Sequence, residues 1–317
     1  MKRRTLRNTL ILVAALIVAA AAAMMIGAER IDISHLSEID KTILFDIRIP
    51  RVLLAASVGA SLAVAGAGLQ SLLRNPLAEP YLLGVSNGAA LGTLIAFVFF
   101  GAFEFTRPLF AFAGAAAATV VVYRMARGRA GMNVERLVLS GVIVTTFLSS
   151  VIVMLTSVLD AARLRSYTFW LLGDLSQASL GGVYLSAGAA IAGTAVMASQ
   201  ARALNLMMVG ESDAFDFGVE VGRVRMLVFG AASVVVGASV AASGSVGYVG
   251  LIVPHLVRMA FGSDNRQVVP LSALAGAIFV VAADTLARTL IAPRELPVGA
   301  ITALAGAPLF IYLLRRS

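Results

Sequence analysis

Few side chains in this sequence have the type and spacing for chemistry, and most of those lie in apolar surroundings. Nucleotide hydrolysis would need a glycine-rich phosphate loop closed by Gly-Lys-Ser/Thr, and neither Lys2 nor Lys41 stands in such a pattern. Cysteine is absent, which removes thiolate chemistry and Cys-based metal sites, and His35 and His255 are far apart in sequence for a cluster. Coupling to an ion gradient usually leaves an acid or histidine within the membrane, because a charge at mid-helix costs about 2.5–3.5 kcal/mol and persists for function. Asp284 is the closest such acid, and Arg288 four residues on accounts for it as an ion pair along a helix. For His255 a structural role competes with a proton relay.

What remains are two stretches that interrupt helices. Arg74 to Gly84 (RNPLAEPYLLG) carries Asn75, Pro76, Pro80 and Gly84, and two prolines with a glycine preclude one straight helix there. Gly244 to His255 (GSVGYVGLIVPH) repeats the character with Gly247, Gly250 and Pro254. Non-helical backbone at membrane depth survives only when buried in protein or lining a cavity. Both stretches are therefore expected to face the protein interior or a water-filled path. Asn87, early in the segment that follows the first, either lines that path or bonds across helices.

The elements that must carry these breaks follow from composition. With 59% hydrophobic and 13% charged residues, the chain reads as an all-α polytopic membrane protein embedded in lipid. Apolar runs near 9–28, 51–73, 81–101, 108–126, 136–159, 181–199, 225–243, 247–262, 268–290 and 297–314 predict about ten transmembrane helices in a single transmembrane domain. Lys2, Arg3, Arg4 and Arg7 precede the first run, which exceeds the roughly 7–15 residues of a signal-peptide core, so a retained span is expected over a cleaved signal. Alternating spans put most of the 25 lysines and arginines, Arg315 and Arg316 included, on the side of both termini, which the positive-inside rule makes cytoplasmic. The net charge of +8 is distributed between apolar runs without aromatic interleaving, so no nucleic-acid partner is expected. Gly59 to Gly66 (GASLAVAG) echoes Gly237 to Gly244 (GASVAASG), and the two copies fall in oppositely directed spans, as an inverted internal repeat requires.

The stretch 200–225 is too polar to cross a bilayer and too apolar for a disordered linker. Leu204, Met207 and Met208 recur at helical spacing, Gly210 interrupts, and Glu211, Asp213 and Asp216 sit where acids favour a helix start. Two short amphipathic helices joined at Gly210 and Glu211 are predicted, and Arg202, Arg223 and Arg225 place them on the cytoplasmic side. Such a platform suits a protein partner. An interfacial pair on lipid headgroups is the alternative, but interfacial helices carry Lys and Arg on the polar face and these carry acids.

In this setting the chain resembles the FecCD, or vitamin B12 permease-like, family of bacterial ABC importer subunits. The resemblance rests on Arg48-Ile-Pro-Arg51, on Gln70 through Asn75-Pro-Leu-Ala-Glu-Pro80 to Leu83-Gly-Val-Ser-Asn-Gly88, and on Val249-Gly-Leu-Ile-Val-Pro-His255. Trp170-Leu-Leu-Gly173, Leu204 to Gly222, Asp284-Thr-Leu-Ala-Arg288, Glu295-Leu-Pro-Val-Gly299 and Gly306-Ala-Pro308 extend it over nearly the whole chain. It implies the type II permease fold of ABC importers in the bacterial inner membrane, a homodimer with the path at its axis, and two ATP-binding cassette subunits. ATP and Mg would belong to those subunits, with no cofactor and no catalytic residue on this chain. The resemblance further implies that Leu204, Met207, Met208, Gly210, Glu211, Asp213 and Gly218 couple to the ATPase. It assigns Arg48 and Arg288 to docking a periplasmic binding protein, a role suited to a guanidinium that takes carboxylate bidentately. Arg51 stays undecided between docking and anchoring a helix start. The implied cargo is cobalamin, a ferric siderophore or haem. An ion-coupled secondary transporter with inverted repeats is the alternative, and the scarcity of intramembrane acids and the cytoplasmic platform both speak against it.

Overall fold

The computed structural model describes residues 2–27, 29, 37–100, 106–128 and 131–314, so Arg30, Arg129, Arg315 and Arg316 lie outside the described residues. The chain begins with α1 (Lys2–Met25); α2 (Glu38–Thr42) then runs through a π-helical stretch, Ile43–Arg48, into α3 (Ile49–Leu72). A 3-10 turn, Pro80–Leu83, leads into α4 (Val85–Phe99) and α5 (Thr106–Ala126). The strands Arg127–Gly128 and Gly131–Met132 form a short antiparallel ribbon, Arg127 opposite Met132. There follow α6 (Val134–Thr156), α7 (Ala161–Leu171), α8 (Leu180–Ser199), α9 (Ala201–Val209) and α10 (Glu211–Asp216). The last four are α11 (Val221–Ser243), α12 (Val249–Phe261), α13 (Asn265–Thr289) and α14 (Val298–Leu314). Among the described residues, seven segments, α1, α2–α3, α5, α6, α8, α11 and α13, are long and apolar enough to cross a membrane, while α4, α12 and α14 are shorter apolar helices at the remaining predicted runs.

A helix that is apolar on every face can only be buried by its neighbours, and α3 is that helix. Apart from Leu53, its residues from Pro50 to Leu72 are buried or half-buried, packed among α8, α11, α12 and α13. Glycine permits these close approaches: a Cβ on Gly59 would overlap the Gly276 carbonyl oxygen of α13, and one on Gly66 the Gly250 carbonyl oxygen of α12. Helices pack in membranes through such small-residue contacts, where dispersion replaces the hydrophobic effect. The peripheral helices instead turn large apolar side chains outward, among them Ile17, Val18, Leu109, Phe147 and Ile191, as lipid-facing surfaces do.

Two features depart from the sequence expectation. The segment between α6 and α8, expected as an external connection, contains α7, capped by the Asp160 side chain accepting from the Arg163 N–H at 2.9 Å. It is held by Tyr167, buried edge-on against Phe97 of α4 at a centroid separation of 6.1 Å. Pro254, expected in a break, lies inside α12, and the physical reason is given by its neighbours in the next section.

Candidate functional site

The two predicted breaks meet. The first, between α3 and α4, and the second, Gly244 to Tyr248 between α11 and α12, lie against each other through side chains of the first. The Tyr81 hydroxyl donates to the Val246 carbonyl at 2.9 Å and accepts from the Val246 N–H at 2.8 Å. Glu79 Oε1 accepts from the Tyr248 N–H at 2.8 Å, and Ser86 and Ser245 hydroxyls are 3.2 Å apart. Tyr248 holds φ 67°, a left-handed conformation uncommon for a non-glycine residue, and the Glu79 carboxylate fixes the N–H that this geometry exposes. Helical pairing is interrupted at each break, and side chains of the first supply partners for the backbone of the second.

Proline inside α12 obeys the same rule. Pro254 has no N–H for the carbonyl four residues earlier, at Gly250. Gln70 of α3 serves instead, its Nε2 donating to Gly250 O at 3.3 Å and Leu251 O at 3.0 Å. The helix therefore continues through Pro254 because a neighbouring side chain satisfies the freed carbonyl.

Around the first break, Asn75 Oδ1 accepts from the Leu77 N–H at 2.8 Å, a local turn that leaves Asn75 and Pro76 exposed while Pro80 is buried. Gly84 ends the 3-10 turn at φ 76°, the left-handed geometry that favours glycine, and opens α4. Gly247 is half-buried near Glu79 and Tyr81. Asn87 bonds across helices: its Nδ2 donates to Thr145 O at 3.1 Å and Ser149 Oγ at 2.6 Å, both on α6. His255 is half-buried edge-on to Phe310, with no carboxylate bonded to it among the described residues.

At the end of the bundle where α1 finishes and α3 begins, five charges gather. Arg51, 5% exposed, donates through Nε and Nη2 to Asp284 at 2.9–3.0 Å and through Nη1 to Glu295 at 2.9–3.0 Å. Arg288 stands farther from Asp284, 3.8 Å from Nε to Oδ2, so the pair along the helix is secondary to the link between α3 and α13. Arg51 thus ties the start of α3 to α13 and to the segment before α14. Arg48 and Arg288 are 4% and 6% exposed. Arg48 donates to the carbonyls of Met24, Met25 and Glu29, and Arg288 to that of Ala23, so both close the C-terminal end of α1. Cations belong at that negative end of a helix dipole. The Arg48 guanidinium and Nη2 of Arg288 thus bond carbonyls at the end of α1, while Nε of Arg288 has no hydrogen-bond partner among the described residues.

At the opposite end, α9 and α10 form the predicted pair with Gly210 between them. Leu204 and Met207 are fully buried and belong to the core, whereas Met208 is exposed. The apolar surface lies elsewhere, on Val209, Phe215 and Phe217, each more than 70% exposed. Sequence reading missed these three, although an aromatic pair beside Asp216 in so short a helix has no inward face large enough to bury both. Glu211 is half-buried, bonded to Arg225 of α11 and 3.5 Å from Arg74 at the end of α3. Arg225 also donates to Met132 O at 2.9 Å. Asp213 and Gly218 are exposed, and Gly218 turns the chain after α10 at φ 79°.

Comparison with known proteins was made on this geometry. The chain is 44% identical over 278 residues to the cobalamin import system permease protein BtuC of Halobacterium salinarum, covering 88% of this chain and 74% of that protein. It is 41% identical over 277 residues to the hemin transport system permease protein HmuU of Yersinia pestis, covering 86% and 82%. Among solved structures, an inward-facing metal-chelate type ABC transporter superposes with a TM-score of 0.88 at 30% identity, over 99% of this chain and 100% of that one. The model of the FecCD transport family matches residues 10–316, and with relatives of this closeness the chain belongs to that family of ABC transporter permeases.

Proposed function

We propose that this chain is the membrane-spanning subunit of an ATP-driven importer, two copies of which enclose a path for a metal-chelate cargo such as cobalamin, haem or a ferric siderophore. The observation that carries the reading is the α9–α10 surface. A polypeptide that only crosses lipid has no use for Val209, Phe215 and Phe217 exposed beside Glu211 and Asp213. An ATP-binding cassette subunit, holding ATP and Mg itself, would cover that face. In this reading about ten crossings, α4, α12 and α14 among them, form two inverted halves with both termini in the cytoplasm of a bacterium. The paired breaks then sit between α3–α4 and α11–α12, where backbone freed from helical pairing is able to rearrange.

A periplasmic binding protein would dock at the opposite end, on the rim above Arg48, Arg51 and Arg288. Alanine at both Arg48 and Arg288 is expected to weaken binding-protein affinity in a salt-dependent way. Unaltered affinity in a variant that keeps its melting temperature would remove the rim from the interface.

The test of the whole reading is uptake into proteoliposomes containing this chain and its ATPase, with binding protein preloaded with cyanocobalamin, haem or a ferric siderophore outside. ATP-dependent accumulation of one cargo is the expected result. Uptake driven by a proton or sodium gradient in place of ATP would overturn it.

A further inference from the structure

A half-open groove lies between α4, α5 and α6. Its volume is about 570 Å³, within the roughly 300–1,000 Å³ of sites that hold small ligands. Every residue lining it is apolar; Gly92, Phe110, Ala117, Val121, Ile143 and Phe147 define its walls. Such a lining suits hydrocarbon and offers no hydrogen bond to a polar cargo.

The helical repeat carries the groove to two arginines. On α5, Arg124 is seven residues after Ala117 and three after Val121, which puts it on the face that lines the groove. On α6, Arg136 is seven residues before Ile143, on the corresponding face of that helix. Both are exposed, as is Arg127 in the ribbon joining the two helices, and no described carboxylate pairs with any of the three. Glu135, the neighbouring acid, lines a separate polar recess with Arg74, Glu211 and Arg225. The groove therefore runs from an apolar interior to a mouth of net positive charge. That mouth is at the α9–α10 end, because Arg225 bonds both Met132 of the ribbon and Glu211 of α10.

We infer that the groove is a site for an anionic phospholipid, with an acyl chain between α4, α5 and α6 and the phosphate held by Arg124 and Arg136. Basic pockets between membrane helices recognise anionic headgroups in this way. The inference rests on the chain lying in a bilayer and is independent of what it transports.

Native mass spectrometry of the full-length protein in detergent, titrated with phosphatidylglycerol or phosphatidylcholine of matched acyl chains, tests it. Phosphatidylglycerol should be retained preferentially. Each arginine near an anionic surface is worth about a fivefold factor, so Arg124→Gln with Arg136→Gln should cost roughly tenfold or more in phosphatidylglycerol retention. The same pair of changes should reduce retention of zwitterionic phosphatidylcholine much less, and Arg124→Lys with Arg136→Lys should keep the preference. Ala117→Phe, or Ala113→Leu if that variant fails to fold, should reduce retention of both lipids. Equal retention of the two lipids by the unaltered protein, or an unchanged preference in the Gln pair, would overturn the site. So would a disulfide between copies of Ala117→Cys in this otherwise cysteine-free chain, because a second copy would then fill the groove.

Discussion

Arg51 is the residue on which the largest single cost falls. It bridges Asp284, 1% exposed, and Glu295, whose side chain is 44% exposed, so its two ion pairs differ in kind. Removing one partner of a buried pair leaves an uncompensated charge and costs roughly 3–5 kcal/mol, while an exposed pair is worth roughly 0–1 kcal/mol. Asp284→Ala should therefore lower the melting temperature in detergent strongly, and Glu295→Gln hardly at all. Equal effects from the two would mean that the cluster does not hold α3 to α13. The same geometry disposes of Asp284 as an ion-coupling acid: its oxygens are engaged by Arg51 in a static link between helices. At this scale the spacing of Asp284 and Arg288 was legible in the sequence, but the dominant partner, 233 residues away, was not.

At the scale of elements, α9 and α10 separate packing from presentation. Leu204 and Met207 are core residues, and truncating such side chains costs roughly 2–5 kcal/mol. Leu204→Ala should lower the melting temperature of the isolated chain. Phe215→Ser with Phe217→Ser should leave that temperature unchanged while abolishing co-purification of the ATPase. If the phenylalanine pair keeps the ATPase bound, the docking face lies elsewhere. Amphipathic periodicity identified the two helices and the Gly210 joint correctly. It did not show which side of α9 faces inward, because the packing of α9 on α3 and α13 decides that.

For the whole molecule, orientation in the membrane is the quantity that the fold leaves to experiment, and the absence of cysteine makes it accessible. Single cysteines at Ser37, before α2, and at Arg202, in α9, should label oppositely with a membrane-impermeant maleimide applied to intact cells. Ser37→Cys is expected to react and Arg202→Cys to stay protected until the cells are opened. The reverse pattern would invert the topology and place the docking face outside, where no ATP-driven partner operates.

The sequence by itself determined the class, the helical runs, the short platform after α8 and the two stretches at which helices cannot continue. These are local consequences of hydropathy, of the missing proline N–H and of glycine, and each is written within a few consecutive residues. Only the tertiary structure decided that Tyr81 and Glu79 of the first break satisfy the backbone of the second, and that Gln70 lets α12 pass through Pro254. It also decided that Arg48 and Arg288 close α1, and that α7 packs on α4. These are pairings between residues far apart in the chain. In an apolar interior an unpaired polar group must find whichever partner the packing brings near, and that choice is a property of three-dimensional proximity.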